Sequence, residues 1–326
     1  MTREELLSFF WQNADSYISG EELAGRLQVS RAAVWKAVGQ LRAEGYAIES
    51  VPGRGYRLLS ASDVLSEEGI RRHLQHQELN LQVVRTITST NTVLKTLAAE
   101  GAPSGLALIA GEQTAGRGRM GRSFYSPAGT GLYLSLMLRP AMRAEEAVRL
   151  TACAAVAAAE TIEELSGRET RIKWVNDILV DGRKVCGILT EASVDCENGM
   201  MNYVIIGLGV NLRDPEGGFP EELQSIAGTA FEAEQIPELR CRLAAGILDR
   251  LAAYAVKPSD PAVFEAYRCR SLVLGKAITV LAAAKDPVPA EVLDLMGDYS
   301  LLVRYADGST GRLNSGEVSV RSSERG

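Results

Sequence analysis

Polar caps and apolar stripes divide the first sixty residues sharply. Thr2 with Glu5, and Ser19 with Glu22, each set a hydroxyl three residues before a carboxylate, the spacing that satisfies a helix's first amides reciprocally. Helices are predicted to begin at both. The second runs from about Gly20 to Leu27 and breaks at Gln28-Val29; Ser30 then caps a third, Arg31 to Ala43, which stops at Gly45. Tyr46 to Val51 alternates as a strand, Pro52-Gly53-Arg54-Gly55 turns, and Tyr56-Arg57-Leu58 returns. A winged helix-turn-helix is expected over residues 1–62, with the helix-turn-helix at about residues 20–39.

A linking helix is predicted from Ser62 to His76, and then the pattern changes. Leu81 to Thr86, Leu106 to Ala110, Leu132 to Leu138, Arg171 to Trp174, Ile178 to Val180, Lys184 to Ala192 and Tyr203 to Asn211 have the composition of strands, with Asp181-Gly182 as a hairpin turn. Longer stretches of helical period lie at Thr90 to Glu100, Glu145 to Leu165 and Pro237 to Tyr254. This order predicts a central α+β domain with a mixed sheet, residues 63–270. From Ser271, short apolar strands separated by Gly, Asp and Pro turns, ending at Gly316-Glu317-Val318-Ser319-Val320, predict a small SH3-like β-barrel, residues 271–326.

Of the 326 residues, 46% are hydrophobic, ample for two or three cores. No apolar run approaches the ~20 residues of a membrane span, and the acidic start Met1-Thr2-Arg3-Glu4-Glu5 is unlike a signal peptide, so no membrane partner and a cytoplasmic location are expected. Five scattered cysteines lack the paired spacing of a disulfide framework or zinc site. The two histidines, His73 and His76, could share a helical face, but no third metal ligand stands near them. Their scarcity argues against a histidine-activated nucleophile.

Charge is distributed unevenly. Residues 1–29 carry two basic and five acidic side chains, net −3, whereas residues 30–58 carry five basic and two acidic, net +3. With a net charge of −6 overall, bulk attraction cannot hold DNA, so binding falls to local contacts from Ser30, Arg31, Lys36 and Arg54. One such module binds weakly, which predicts a homodimer reading two half-sites of an operator.

The densest positive charge lies in Gly116-Arg117-Gly118-Arg119-Met120-Gly121-Arg122, a backbone expected to lack a fixed shape until it closes over an anion. Its glycines also match the dinucleotide fingerprint, but no helix opens at Gly121 and the first acid beyond it is Glu145, so that reading is rejected. Ser89-Thr90-Asn91, at a strand-to-helix junction, suits either helix capping or a polar ligand. Lys173-Trp174-Val175-Asn176-Asp177 suits either a capped turn or a site. Lys184 begins an apolar strand, and Gly207-Leu208-Gly209-Val210-Asn211 offers close backbone approach and then an amide.

In this order, Ser-Thr-Asn, Glu112-Gln113-Thr114-Ala115-Gly-Arg-Gly-Arg, Lys-Trp-x-Asn-Asp, Arg183-Lys184-x-x-Gly-Ile-Leu and Gly-x-Gly-x-Asn resemble the biotin–protein ligases, across essentially the whole chain. With the N-terminal module they resemble the bifunctional form that also represses the biotin operon. The resemblance implies that biotin and ATP give biotinyl-5′-adenylate and pyrophosphate, and that biotin then passes to a lysine of a biotin carboxyl carrier protein. It implies that Ser89, Thr90, Asn91, Gln113 and Gly187 surround biotin, and that Gly116, Arg117, Gly118 and Arg119 cover it. Lys184, with Arg117 and Arg119, would carry the chemistry. Arg119, Arg122, Asn176, Asp177 and Asn211 would hold the nucleotide, with residues 213–228 closing over adenine. Mg²⁺ would arrive on the phosphates near Asp177 rather than in a fixed protein site. The adenylate would serve as corepressor and promote dimerisation. Val175 stands where the family usually has Pro, and Phe124 where it usually has Trp. A ligand-sensing repressor without ligase activity and a lipoate ligase are the alternatives.

Overall fold

The computed structural model describes residues 3–59, 63–232, 236–281, 287–314 and 317–320. The chain divides into two compact units, Met1–Gln75 with Ala233–Ala245, and His76–Glu232 with Gly246–Gly326.

In the first unit, α1 (Arg3–Gln12), α2 (Gly20–Arg26) and α3 (Arg31–Ala43) are followed by the hairpin β1 (Ile48–Val51) and β2 (Gly55–Leu58). The hydroxyls of Ser19 and Ser30 accept from the amides of Glu22 and Ala33 at 3.0 and 3.1 Å, so both helices start at their expected caps. Thr2 lies outside the described residues. Leu6, Leu7 and Phe10 of α1 meet Leu23, Val34, Val38 and Leu41 in one core, closed by Ile48 and Leu58 of the wing. The linking helix is shorter than expected. α4 (Glu67–Arg71) has five residues, because Ser66 caps it at the Gly69 amide and the polar stretch beyond Arg71 offers no repeating apolar face to bury. Ser62 lies outside the described residues.

In the second unit, β3 (Asn80–Val84), β4 (Leu106–Ala110), β5 (Gly131–Leu138), β6 (Arg171–Lys173), β7 (Asp177–Val180), β8 (Arg183–Val194) and β9 (Met201–Asn211) form a sheet of order β3-β4-β5-β9-β8-β7-β6. β3 and β4 are parallel and the remaining pairs antiparallel, which makes the sheet mixed, as expected. α5 (Thr90–Ala99) covers one face, where Leu94 and Ala98 pack with Leu106, Leu108, Met137 and Ile205. α6 (Ala147–Ser166) covers the other, its Thr151 hydroxyl 2.8 Å from Thr190. The alanines of α6 favour a helix and let it lie close to the sheet.

α7 (Leu239–Val256) contributes residues to both units. α8 (Pro261–Arg270) was not expected; Asp260 caps it by accepting from the Ala262 amide at 2.9 Å, and Pro261 opens it. β10 (Ala277–Leu281), β11 (Val288–Leu295), β12 (Leu301–Tyr305), β13 (Thr310–Leu313) and β14 (Glu317–Val320) then form an antiparallel sheet of order β13-β12-β11-β10-β14. Gly316, the expected start of the last strand, lies outside the described residues.

Candidate active site

Two cavities share a wall over the face of the central sheet that carries α5. The inner one, of about 50 Å³, has Ser89, Thr90, Asn91, Gln113 and Gly187 in its lining. The outer, of about 590 Å³, has Arg122, Asp177 and Asn211 in its own. Gly118, Arg119, Phe124, Asn176 and Lys184 line both. Arg117 lines the inner one, and Gly116 lies behind the wall with its carbonyl accepting from the Phe124 amide at 2.9 Å.

The inner floor is backbone. Gly207 of β9 pairs with Leu189 of β8 on one side and Ser135 of β5 on the other, and Gly209 pairs with Gly187. A Cβ at Gly207 would lie 2.0 Å from Asn91 Oδ1, and one at Gly209 would lie 2.4 Å from the Phe124 ring. The two glycines of Gly-x-Gly-x-Asn are thus what lets an amide and an aromatic ring rest directly on the sheet.

Above that floor the polar groups hold one another. Ser89 does the capping, its hydroxyl accepting from the Thr92 amide at 3.4 Å. Thr90 and Asn91 are 3% and 4% exposed and face inward. Gln113 Oε1 accepts from the Thr90 amide and hydroxyl at 2.8 and 3.1 Å, while its Nε2 donates to Ser126 Oγ at 3.1 Å. Asn91 Nδ2 donates to Glu191 Oε2 at 3.0 Å. Ser135 Oγ lies 2.6 Å from Thr90 Oγ1 and 2.7 Å from Asn91 Oδ1. Ser135 and Glu191 were not among the sequence candidates, although a fully buried serine in the apolar strand Gly131–Leu138 is the kind of interruption that marks a polar partner.

The arginine loop has a shape of its own, contrary to expectation. Gly118 N donates to Arg122 O at 2.7 Å, and Arg122 N donates to Arg119 O at 3.2 Å, closing a tight turn in which Met120 and Gly121 both take positive φ, 55° and 75°. Side chains fix it further: Arg117 Nη1 lies 3.0 Å from Glu191 Oε2, and Arg119 Nη1 donates to Asn176 Oδ1 at 2.6 Å. Met120 and Gly121 share the left-handed corner, and the neighbouring carboxylate and amide supplied the partners that sequence spacing alone did not reveal.

Lys184 reaches the site through a bulge. Leu179 pairs with Lys184 but Ile178 pairs with Cys186, so β8 has one extra residue against β7. That shift puts Lys184 on the face of Gly187, where a Cβ would meet the lysine Cε at 3.0 Å. The ammonium pairs with Asp177 Oδ1 at 2.7 Å, and Asn176 Nδ2 donates to that same oxygen at 3.0 Å. Cys186, beside them, is no nucleophile: burial pushes its thiol up to about 12, outweighing the Lys184 charge.

The backbone of Lys184 also carries the second loop, donating to Ile226 O at 2.8 Å and accepting from Gly228 N at 2.9 Å. Asn211 Nδ2 donates to Gly228 O at 3.2 Å, so this amide both lines the outer cavity and anchors residues 213–228. On the far wall Trp174 Nε1 donates to Tyr299 O at 2.8 Å, and Tyr267 OH donates to Val175 O at 3.2 Å. The Trp174–Val175 peptide is cis.

The histidines are taken by carboxylates, His73 by Glu238 at 3.2 Å and His76 by Asp249 at 3.0 Å. In the N-terminal unit, Arg31 and Lys36 stand exposed on α3, while Arg54 stacks 4.2 Å over the Tyr17 ring.

A small polar nest beside a larger cation-lined cleft, on a mixed sheet covered by helices, suits a ligase that brings a small acid to a nucleotide. The chain belongs to the biotin/lipoate A/B protein ligase family, whose model matches residues 83–211. A helix-turn-helix domain model matches residues 2–57. The bifunctional ligase/repressor BirA of Bacillus subtilis is 41% identical over 233 residues, 71% of each chain. A biotin–[acetyl-CoA-carboxylase] ligase of Mycobacterium tuberculosis is 31% identical over 245 residues, 73% of this chain and 88% of that one. The structure of biotin protein ligase from Aquifex aeolicus in complex with biotin and ATP superposes with a TM-score of 0.61 at 28% identity, over 75% of this chain and 99% of that one.

Proposed function

We infer that this protein is an ATP-dependent biotin–[biotin carboxyl carrier protein] ligase and a DNA-binding repressor. The observation that carries the ligase reading is that Lys184, Arg119 and Asn176 belong to both cavities at once, where an acid lying inside and a triphosphate lying outside would meet.

Ser89, Thr90, Asn91, Gln113 and Gly187 take the biotin ring system, and Gly116, Arg117, Gly118 and Arg119 cover it. A biotin carboxylate oxygen attacks the α-phosphorus of ATP; the bond to the β-phosphate oxygen breaks, and pyrophosphate leaves. Lys184 and Arg119 oppose the charge that gathers on the phosphorus oxygens, and Arg122, Asn176, Asp177 and Asn211 orient the nucleotide. Asp177 would stand near the Mg²⁺ that ATP carries on its phosphates, and that ion would supply positive charge to the pyrophosphate leaving group. A carrier lysine amine then attacks the acyl carbon, an amide forms as the acyl–oxygen bond breaks, and AMP leaves with the proton lost to solvent. No side-chain nucleophile is consumed. Residues 213–228 close over adenine, and Leu223 and Ile226 give the outer cavity its apolar wall.

Residues 1–62 serve as the DNA-binding domain and residues 63–270 as the catalytic domain. Residues 271–326 form a small SH3-like barrel that supports the site through Trp174 and Tyr299. The adenylate is corepressor for a homodimer on operator DNA, its acyl phosphate drawing Arg117 from Glu191. The protein works in the cytoplasm; none of its described helices is long and apolar enough to cross a membrane.

Incubation with biotin, ATP–Mg²⁺ and a carrier domain, followed by weighing the carrier, tests this. One biotin per carrier is expected. An unmodified carrier would leave the ligand-sensing repressor, and transfer of lipoate in place of biotin would assign the other acid.

A further inference from the structure

α3 buries Val34, Ala37, Val38 and Leu41. Its opposite face presents Arg31, Ala32, Trp35, Lys36, Gly39 and Gln40, all exposed. Trp35 is 71% exposed, the most accessible of the protein's described aromatic rings. So large an apolar side chain held in water contributes nothing to the core; one exposed ring is common on a protein surface, and what sets this one apart is its place between two cations on the second helix of a helix-turn-helix. Gly39, one turn further on, has no protein atom within 4 Å of where a Cβ would stand. Glycine there weakens the helix relative to alanine without serving any packing inside the protein, and it leaves room beside the indole.

The charges say what covers this face. Arg31 and Lys36 bracket Trp35 and, among the described residues, neither pairs with a carboxylate. Arg54, in the wing, has its guanidinium steadied by Tyr17. A protein partner anchored on tryptophan would meet an apolar surround with a mixed rim; here the rim is cationic. A major groove supplies the complement, with phosphates along both walls and the thymine methyl as the one apolar group on the base edges.

We propose that Trp35 is a base-reading residue: its indole packs against thymine 5-methyl groups in the major groove, with Arg31 and Lys36 on the flanking phosphates. The operator half-site is thereby selected for thymine at one or two adjacent positions. This rests on the repressor reading and is tested apart from it.

Full-length protein, supplied with biotin and ATP–Mg²⁺, is used to select duplexes from a random-sequence library. In the enriched duplex each thymine is then replaced singly by uracil, which lacks only the methyl. Wild type is expected to lose about three- to tenfold in affinity at one or two positions and nothing elsewhere. Trp35→Ala is expected to bind thymine and uracil duplexes equally at those positions, with ligase turnover unchanged because the residue lies outside the catalytic unit. Lys36→Ala is expected to weaken all duplexes alike and to flatten the salt dependence by about one unit of slope. Enrichment with no methyl preference in wild type, or the same preference in Trp35→Ala, would overturn the role of Trp35 alone. A library with no enriched sequence would overturn the repressor reading and this role with it.

Discussion

Lys184 shows how one half-exposed ammonium can face two cavities at once. It is held 2.7 Å from Asp177 in the outer cavity while its stem crosses Gly187 in the inner one, so a carboxylate from within and a phosphate from without would each exchange places with Asp177. Removing it leaves developing anionic charge with only the arginines opposite. Lys184→Ala is expected to slow adenylate formation by about 10²–10³-fold, read as biotin-dependent exchange of labelled pyrophosphate into ATP; a rate within twofold of wild type would remove lysine from the mechanism. At this scale the sequence was legible where chemistry is unusual, as in the arginine loop and Lys184. Glu191 meets Asn91 from 100 positions away with no local signature of that meeting, and Ser135, 44 positions away, offered only its interruption of an apolar strand.

Among the elements, α3 could be read to the residue, because a capping serine before it and Gly45 after it are local signals. α8 could not. Its buried side chains are only Val263 and Tyr267, too few for a periodic stripe, and the Asp260-Pro261 start was its one available sign. The bulge in β8 was equally hidden, since an extra residue is defined by the partner strand rather than by its own sequence. α6, β6 and α8 are tied together by Glu163, which accepts from the Thr170 hydroxyl at 2.7 Å and faces the Arg270 guanidinium at 2.6 Å. Burial works against its charge, but Arg270 and Thr170 prevail and hold the carboxyl below its ordinary 4.5. A depressed carboxyl stabilises the fold above its unfolded pKa, and that contribution disappears as pH falls through the folded one. Urea unfolding of wild type and Glu163→Gln from about pH 6 to about pH 3 should therefore show a gap that is widest at the upper end and closes toward the lower. A constant gap would mean that the charge contributes nothing.

Over the whole molecule, the switch between apolar periods of 3.6 and 2 led to the expectation of three domains, while the contacts between the C-terminal strands and the cleft, the Trp174–Tyr299 hydrogen bond among them, join residues too far apart in sequence to be read from it. The Trp174 indole donates to the Tyr299 carbonyl, which lies just before β12. Trp174→Phe keeps an aromatic ring but removes the indole donor and some buried volume, stranding that carbonyl beside a small cavity, an expected loss of at least about 1–3 kcal/mol by urea unfolding; no loss would show that the hydrogen bond contributes nothing. The same scale holds the proposed coupling of the two activities. Sedimentation equilibrium with biotin and ATP–Mg²⁺ is expected to give tighter dimers than apoprotein by about five- to 150-fold, the usual span of coupling between two sites. Identical association constants would separate repression from the adenylate.

The main chain at position 184 is knitted to the segment around Ala227 by a pair of backbone hydrogen bonds, while its side chain is one of two cations, with Arg119, that face both cavities. On the proposed reading, lid and electrode are thus parts of one lever. A change of length within residues 213–228, away from the Leu223 and Ile226 that line the outer cavity, would tug on the ammonium through the main chain of residue 184 and retune turnover at a distance from the reactants.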